Sequence, residues 1–308
     1  MQRFIALFLP IVLLAAKYAG DFQELGIGGR ASGMGGTGIA QFHDPATIYY
    51  NPGGSFFAPK SILIMHSENF AGIVRNEYIG VILPQRAHIF GLAVQYISVG
   101  DIKLTTLPDT TELPGDDNQP YAYDTVGTND IVLYLEYARG LMIGSDPHRN
   151  GPKLAYGANI KIYYRDLVAI TGYGGGLDLG CAFTSEYFQA GLAVRDFILA
   201  PLIWDNGTRE TILPKIMLGV SPVIPFGGIN SRLTIACDFI KEIGVSGFSM
   251  KYGFEFCFRD VISGRAGFNA GRFTVGIGLA YKKFRLDYAL LTHSELSNTH
   301  RVSLGYIF

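Results

Sequence analysis

Three constellations in this sequence hold residue types that could do chemistry. Gly33-Met34-Gly35-Gly36-Thr37-Gly38 fits the G-x-G-x-x-G spacing, which cradles a dinucleotide pyrophosphate where it joins a strand to a helix inside a βαβ unit. No such unit surrounds it, because the chain that follows is a series of strands. These glycines are better read as permitting tight turns and close backbone approach. His293, Ser294 and Glu295 carry the side chains of a hydrolase. Adjacent residues on a polar loop do not face one another in triad geometry, however, and no oxyanion arrangement accompanies them. The six histidines and the three cysteines, Cys181, Cys237 and Cys257, are scattered without zinc spacing. An odd number of distant cysteines reads as small apolar strand residues rather than a disulfide framework or metal site. The expectation is a non-enzyme with no catalytic residue, no metal and no cofactor.

A fourth set is more informative. Glu136, Lys161, Asp178, Asp238, Glu255, Arg265, Arg285 and Asp287 all lie inside apolar segments, and all fall in the same phase as Gly, Ala, Ser and Thr. The elements that hold them alternate with period two, the signature of strands. In the last, Val302, Leu304, Tyr306 and Phe308 share one face, and Ser303 and Gly305 the other. Segments 273–281 and 284–290 behave alike. Further strands are expected at about 61–70, 75–83, 87–105, 128–138, 153–165, 174–184, 187–195, 212–220, 230–241, 249–258 and 261–268. With 302–308 they make fourteen strands.

Composition narrows the class. Charged residues make up 17% of the 308-residue chain, against roughly 25% in soluble domains. The 21 Phe, 18 Tyr and 1 Trp, within a hydrophobic content of 48%, exclude a disordered chain. A net charge of −1 supplies no basic excess for nucleic acid. Beyond the N-terminus no apolar run is long enough for a membrane-spanning helix. Residues 1–19, with Arg3 ahead of the apolar stretch Phe4–Ala16, read as a secretory signal peptide with a poorly marked cleavage site.

An even number of amphipathic strands closes into a membrane barrel, which leaves no unpaired edge in lipid. The reading is an all-β, transmembrane, antiparallel barrel of about fourteen strands over residues 60–308. Residues 20–59 form a glycine-rich hatch in its lumen. Charges facing lipid at the midplane cost about 2–4 kcal/mol for Lys or Arg, so the charged phase faces the lumen. There the charges either brace the wall as a satisfied network or contact a ligand. With the N-terminus periplasmic, tight turns such as Arg259–Asp260 and Lys282–Lys283 follow even strands. The long polar connections 106–127, 196–211 and 292–299 follow odd ones, and 139–152 is an exception. In the hatch, Asp44 and Pro45 open a short helix through Ala46 to Tyr50 that stops before Asn51–Pro52.

The segment ELGIGGRASGMGGTGIAQFHDPATIYYNPGG (24–54) resembles the hatch of FadL-like outer-membrane barrels, in particular the PorV/PorQ-type branch. The C-terminal FRLDYALLTHSELSNTHRVSLGYIF (284–308) resembles the same branch, and between these ends only the pattern agrees. The resemblance implies a fourteen-stranded barrel in a Gram-negative-type outer membrane. In the FadL type it admits long-chain fatty acids and other hydrophobic compounds; in the PorV type it partners a protein secretion or surface-attachment apparatus. Arg30, Met34, Asn51, Pro52 and Gly53 of the hatch are then ligand-binding candidates. So are Glu136, Lys161, Asp178, Glu255, Arg265 and Asp287 of the lumen. Tyr306 and Phe308 would belong to the terminal signal read by the barrel-assembly machinery. The implied partners are outer-membrane lipid, a hydrophobic small molecule, that machinery and secretion-system proteins, with no nucleic acid.

Overall fold

The computed structural model describes residues 19–142, 153–293 and 295–308. The expected signal peptide, apart from Ala19, lies outside the described residues, as do the second half of the 139–152 connection and Ser294. The wall begins with β1 (Ser61–Asn69), β2 (Val74–Gln85), β3 (His88–Thr106), β4 (Tyr121–Met142), β5 (Lys153–Asp166), β6 (Thr171–Thr184) and β7 (Phe188–Arg195). Two short strands follow, β8 (Ala200–Trp204) and β9 (Arg209–Ile212). The wall resumes with β10 (Lys215–Phe226), β11 (Ser231–Glu242), β12 (Ser249–Phe258), β13 (Ile262–Asn269), β14 (Arg272–Tyr281), β15 (Phe284–Leu291) and β16 (Thr299–Ile307). Sequence neighbours pair antiparallel, β7 pairs β10, and β1 pairs β16, so the sheet closes as a fourteen-stranded barrel with two extra strands.

Every one of the fourteen expected segments is a wall strand. They are legible because a strand between lipid and lumen must alternate along its whole length. On β14, Phe273, Val275, Ile277, Leu279 and Tyr281 point outward and are all at least a third exposed, while Thr274 is buried inward. On β12 the outward residues are Tyr252, Phe254, Phe256 and Phe258; Glu255 and Cys257 face in.

Two expectations about loops need correction. Residues 121–127 are not loop: β3 and β4 pair as far as Thr106 and Tyr121, with register shifts at Val99/Ile102 and Leu104/Thr105. This part of the hairpin is exposed on both faces, and a ladder in water needs no apolar side, so the alternation that marks a strand fades. The 196–211 connection is likewise not a plain loop, since β8 and β9 pair within it and β8 also pairs β6. Ala200, Leu202 and Trp204 alternate inward and are buried, and Gly207 turns the hairpin with φ 84°. The Asn206-Gly207 dipeptide was its signal.

The tight turns after even strands are as expected. Arg86, Arg259, Asp260 and Lys282 each adopt positive φ at that end, the backbone that two-residue hairpins require. In the hatch, α1 spans Gly29–Gly33 and α2 spans Thr47–Tyr50; α2 starts later than expected, with Ala46 rather than Asp44 at its N-cap position, and Asp44 Oδ1 accepts from the Ala46 amide at 2.9 Å in the turn that leads into it. A 3-10 turn, Pro52–Phe57, continues past Asn51, whose side chain accepts from the Gly53 amide.

Substituting Ile277, at the middle of β14 and 58% exposed outward, by Arg is expected to destabilise the barrel by about 2–4 kcal/mol. Denaturant unfolding in phospholipid vesicles measures it; a change under 0.5 kcal/mol would place that face in water.

Candidate functional site

The lumen of this barrel is occupied. Residues 19–58 run through it, and Ile27, Met34, Ile39 and Ile48 of this segment are at most 1% exposed. They enter the apolar core with Met65, Tyr78, Tyr134 and Tyr163 of the wall or pack beside it. Close approach depends on missing side chains. A Cβ on Gly53 would sit 2.8 Å from the Gly180 carbonyl oxygen, and one on Gly180 would sit 2.8 Å from Pro52 Cδ. A Cβ on Gly33 would meet Gly276 Cα at 2.9 Å. Glycines on both partners let backbone lie against backbone.

Polar pairing fixes the hatch in register. Arg30 is 6% exposed, and its guanidinium grips Glu255 through two parallel bonds, Nε to Oε2 at 2.8 Å and an η-nitrogen to Oε1 at 2.7 Å. This fork-to-fork geometry is the strong form of an ion pair. Arg265, on the neighbouring β13, donates to the same Glu255 at 2.6 Å and pairs Asp287 at 2.7 Å. A second cluster centres on Lys161, whose Nζ lies 2.7 Å from both Asp178 and Asp196 and donates to the Gln23 side chain at 2.9 Å. A third joins Glu24 to Lys215 at 2.8 Å and Arg195 at 3.4 Å, with Glu242 on Lys215 at 3.2 Å.

Single wall residues hold the remaining turns. Asp238 accepts from the amides of Gly38 and Ile39 at 2.8 and 3.2 Å. Glu136 accepts from Ser55 at 2.7 Å, and its other oxygen has no partner. Asn51 donates to the carbonyls of Ile39 and Cys181, both at 3.0 Å. Arg301, 1% exposed, donates only to neutral acceptors: Ser67, Ser32, Asn69 and the Leu25 carbonyl.

The structure therefore brings the eleven hatch and lumen candidates into one place, the seam between hatch and wall. Pro52 and Gly53 meet the wall through backbone, Met34 is buried in the seam, and the charged members neutralise one another except Glu136, which meets only the Ser55 hydroxyl. Tyr306 and Phe308 lie apart, at the short-turn end. There the rings of Phe284, Tyr306 and Phe308 pack in sequence, the first pair tilted at 4.9 Å and the second edge-on at 5.3 Å. Several seam residues escaped the sequence reading. Arg301 shares the inward phase of Ser303, and Arg195 that of Gly191 and Ala193, so their phase could have found them. Asp196 itself breaks the strand at φ 52°, which no periodicity forecasts.

Cavities between hatch and wall are small. One of about 90 Å³ opens at the long-loop end among Glu24, Tyr50, Asn69, Lys251, His293 and Arg301. Two of about 10 Å³ lie beside Arg30 and His43. For scale, a cavity of about 150 Å³ holds benzene. Burial, reinforced by the Arg30 charge, keeps the His43 imidazole well below its usual range and so neutral at pH 7. Burial opposes ionisation of Glu24, but Arg195 and Lys215 outweigh it and pull its carboxyl from 4.5 to about 2.

No family model and no curated protein matches this chain. Solved structures do resemble it. The TodX deltaS2S3 mutant monoaromatic hydrocarbon channel aligns with TM-score 0.57 at 11% identity, covering 92% of this chain and 99% of its own. The CymD monoaromatic hydrocarbon channel aligns with TM-score 0.55 at 11% identity, covering 92% and 98%. At this identity the likeness is one of fold, that of an outer-membrane β-barrel channel.

Two outcomes follow from the seam. Gly180→Val is expected to lift the Asn51–Gly54 turn and raise hydrogen exchange of its amides at least tenfold, with the amides of β14 and β15 unchanged. For Glu24, a depressed pKa means that its docking contribution is complete above about 4.5 and is lost as pH falls toward 2. Protection of residues 21–27, corrected for intrinsic exchange, should therefore be flat from pH 5 to 8 and decline below. Glu24→Gln should show the low protection throughout.

Proposed function

We propose that the protein is a hatch-closed barrel of the outer membrane that binds hydrophobic compounds and passes them passively down their gradient. The observation that carries this reading is the shared architecture: wall and hatch together align over nearly the whole chain with channels for monoaromatic hydrocarbons.

Two local features support it. At the long-loop end, where β3 and β4 shift register, a groove of about 760 Å³ is lined by Ile73, Val99 and Ile102 and by Gly72, Gly100 and Gly127. Its size suits a hydrophobic guest, its glycines bring backbone to the surface between the apolar side chains, and Arg75, Asp101 and Asn129 line its polar part. The smaller lumen pocket holds Lys251 and Arg301, which pair with no carboxylate among the described residues, so a guest with an acidic end, such as a long-chain fatty acid, would find cations there. Because the lumen cavities are smaller than such guests, passage requires part of the hatch to move.

A second reading, a PorV-type barrel that engages a protein secretion or surface-attachment system, is favoured by loop 107–120. Asn118 is buried and ties this loop together through Asp109, Glu112 and Leu113 carbonyls, while Leu113 is 88% exposed at its surface. An ordered loop that displays an apolar side chain suits a protein partner. On either reading Tyr306 and Phe308 would serve as the terminal assembly signal.

Uptake of toluene and of a labelled long-chain fatty acid into proteoliposomes separates these readings. Wild type is expected to pass at least one of them, and deletion of residues 24–54 to pass it faster and with less selectivity. No uptake and no lumen-bound compound in either protein would leave the partner-binding reading, for which secretion components should co-purify from native membrane.

A further inference from the structure

The two ends of the barrel carry opposite charge. At the long-loop end, residues 107–120 include Asp109, Glu112, Asp116 and Asp117 and no Lys or Arg. At the short-turn end, Arg259, Lys282, Lys283, Lys60 and Arg86 follow one another around the rim from β12 to β3, with Arg139 next on β4; all six are exposed. The one acidic side chain within this arc, Asp260, is held by Arg232. Neighbouring strands lie about 4.8 Å apart, so the arc spans about 35 Å of the perimeter.

The cations do not project away from the barrel. Four lie over aromatic rings of the outward face: Lys60 over Phe308 at 5.1 Å, Arg259 over Phe258 at 5.1 Å, Lys282 over Tyr281 at 5.2 Å and Lys283 over Tyr306 at 5.9 Å. Phe258, Tyr281 and Phe308 are 39%, 65% and 51% exposed at the edge of the apolar belt. Aromatic rings settle at the level of lipid headgroups, so a cation resting on one is placed beside a headgroup phosphate. A protein partner would instead be offered charges that point along the barrel axis.

We infer that this arc is a binding surface for anionic phospholipid headgroups in the leaflet at the short-turn end. The cations supply the charge and the aromatic girdle beneath them fixes the depth. The acidic opposite end takes no part, so the preference is confined to one leaflet.

The test is native mass spectrometry of the full chain released from bilayer discs of equimolar phosphatidylglycerol and phosphatidylcholine. Wild type is expected to retain phosphatidylglycerol over phosphatidylcholine by roughly tenfold or more. In the combined Lys60→Gln, Arg259→Gln, Lys282→Gln, Lys283→Gln variant the ratio should fall to near one. The Lys282→Arg, Lys283→Arg variant should keep it. If the combined variant does not insert, wild type in 1 M salt gives the same reading, with the preference lost. A wild-type ratio near one overturns the inference and leaves the arc to an acidic protein partner. Retention of phosphatidylglycerol that survives both neutralisation and high salt overturns it as well.

Discussion

A charged side chain in the lipid-facing middle of a strand of this wall has one place to go. Period-two alternation offers two directions, and lipid closes one of them, so Lys161, Asp178, Glu255, Arg265 and Asp287 all turn inward, where little water reaches them. Inside they must be matched, because an unpaired charge at that burial would cost several kcal/mol. The rest of the structure answers that demand. The wall matches part of the charge itself, through Glu255 and Arg265 on adjacent strands and Lys161 between Asp178 and Asp196. The hatch supplies Arg30 to the Glu255 group and Glu24 to the Arg195 and Lys215 group, and in doing so acquires a fixed register.

The same alternation explains the glycines. The inward phase needs side chains where the hatch is distant and none where it is near. Tyr78, Tyr134 and Tyr163 fill the first kind of position, and Gly180 and Gly276 leave room at the second. Low overall charge and high glycine content are thus two results of one geometry, a sheet with lipid on one side and a packed chain on the other.

How far the sequence could be read follows from what constrained each part. All fourteen wall strands were legible, since lipid imposes alternation on each one independently. β8, β9 and residues 121–127 were not, because they lie toward the long-loop end, where that constraint relaxes. The seam shows the same division. The inward direction of Glu136 or Asp287 could be read from phase alone, but which charge meets which depends on the ring of strand registers and on the path of the hatch. Arg30 and Glu255 are 225 residues apart, and no local pattern links them. Asp44 and Asn51 were visible as chain-stoppers because capping is local. Arg301 was overlooked despite its phase, because its partners are neutral oxygens that no charge pattern marks.

The pairing also says where the hatch can yield. Without Arg30, the Glu255, Arg265 and Asp287 cluster holds more acid than base. Without Glu24, the Arg195, Lys215 and Glu242 cluster holds more base than acid. The hatch thus contributes one neutralising charge to each, but under different conditions. Arg30 is buried and bidentate, so separating it strands charge away from water. Glu24 is 40% exposed on its side chain, and water can replace what it gives up. Salt screens it as well, so its ion pairs hold less firmly than the buried pair of Arg30. Arg30 is therefore the fixed end of the hatch and Glu24 the releasable one. Release there would widen the pocket beside Lys251 and Arg301 on the long-loop side, while the Asn51–Gly54 turn stays seated against Gly180. An opening of that kind begins at the most spacious of the described cavities between hatch and wall and leaves the deep wall charges paired.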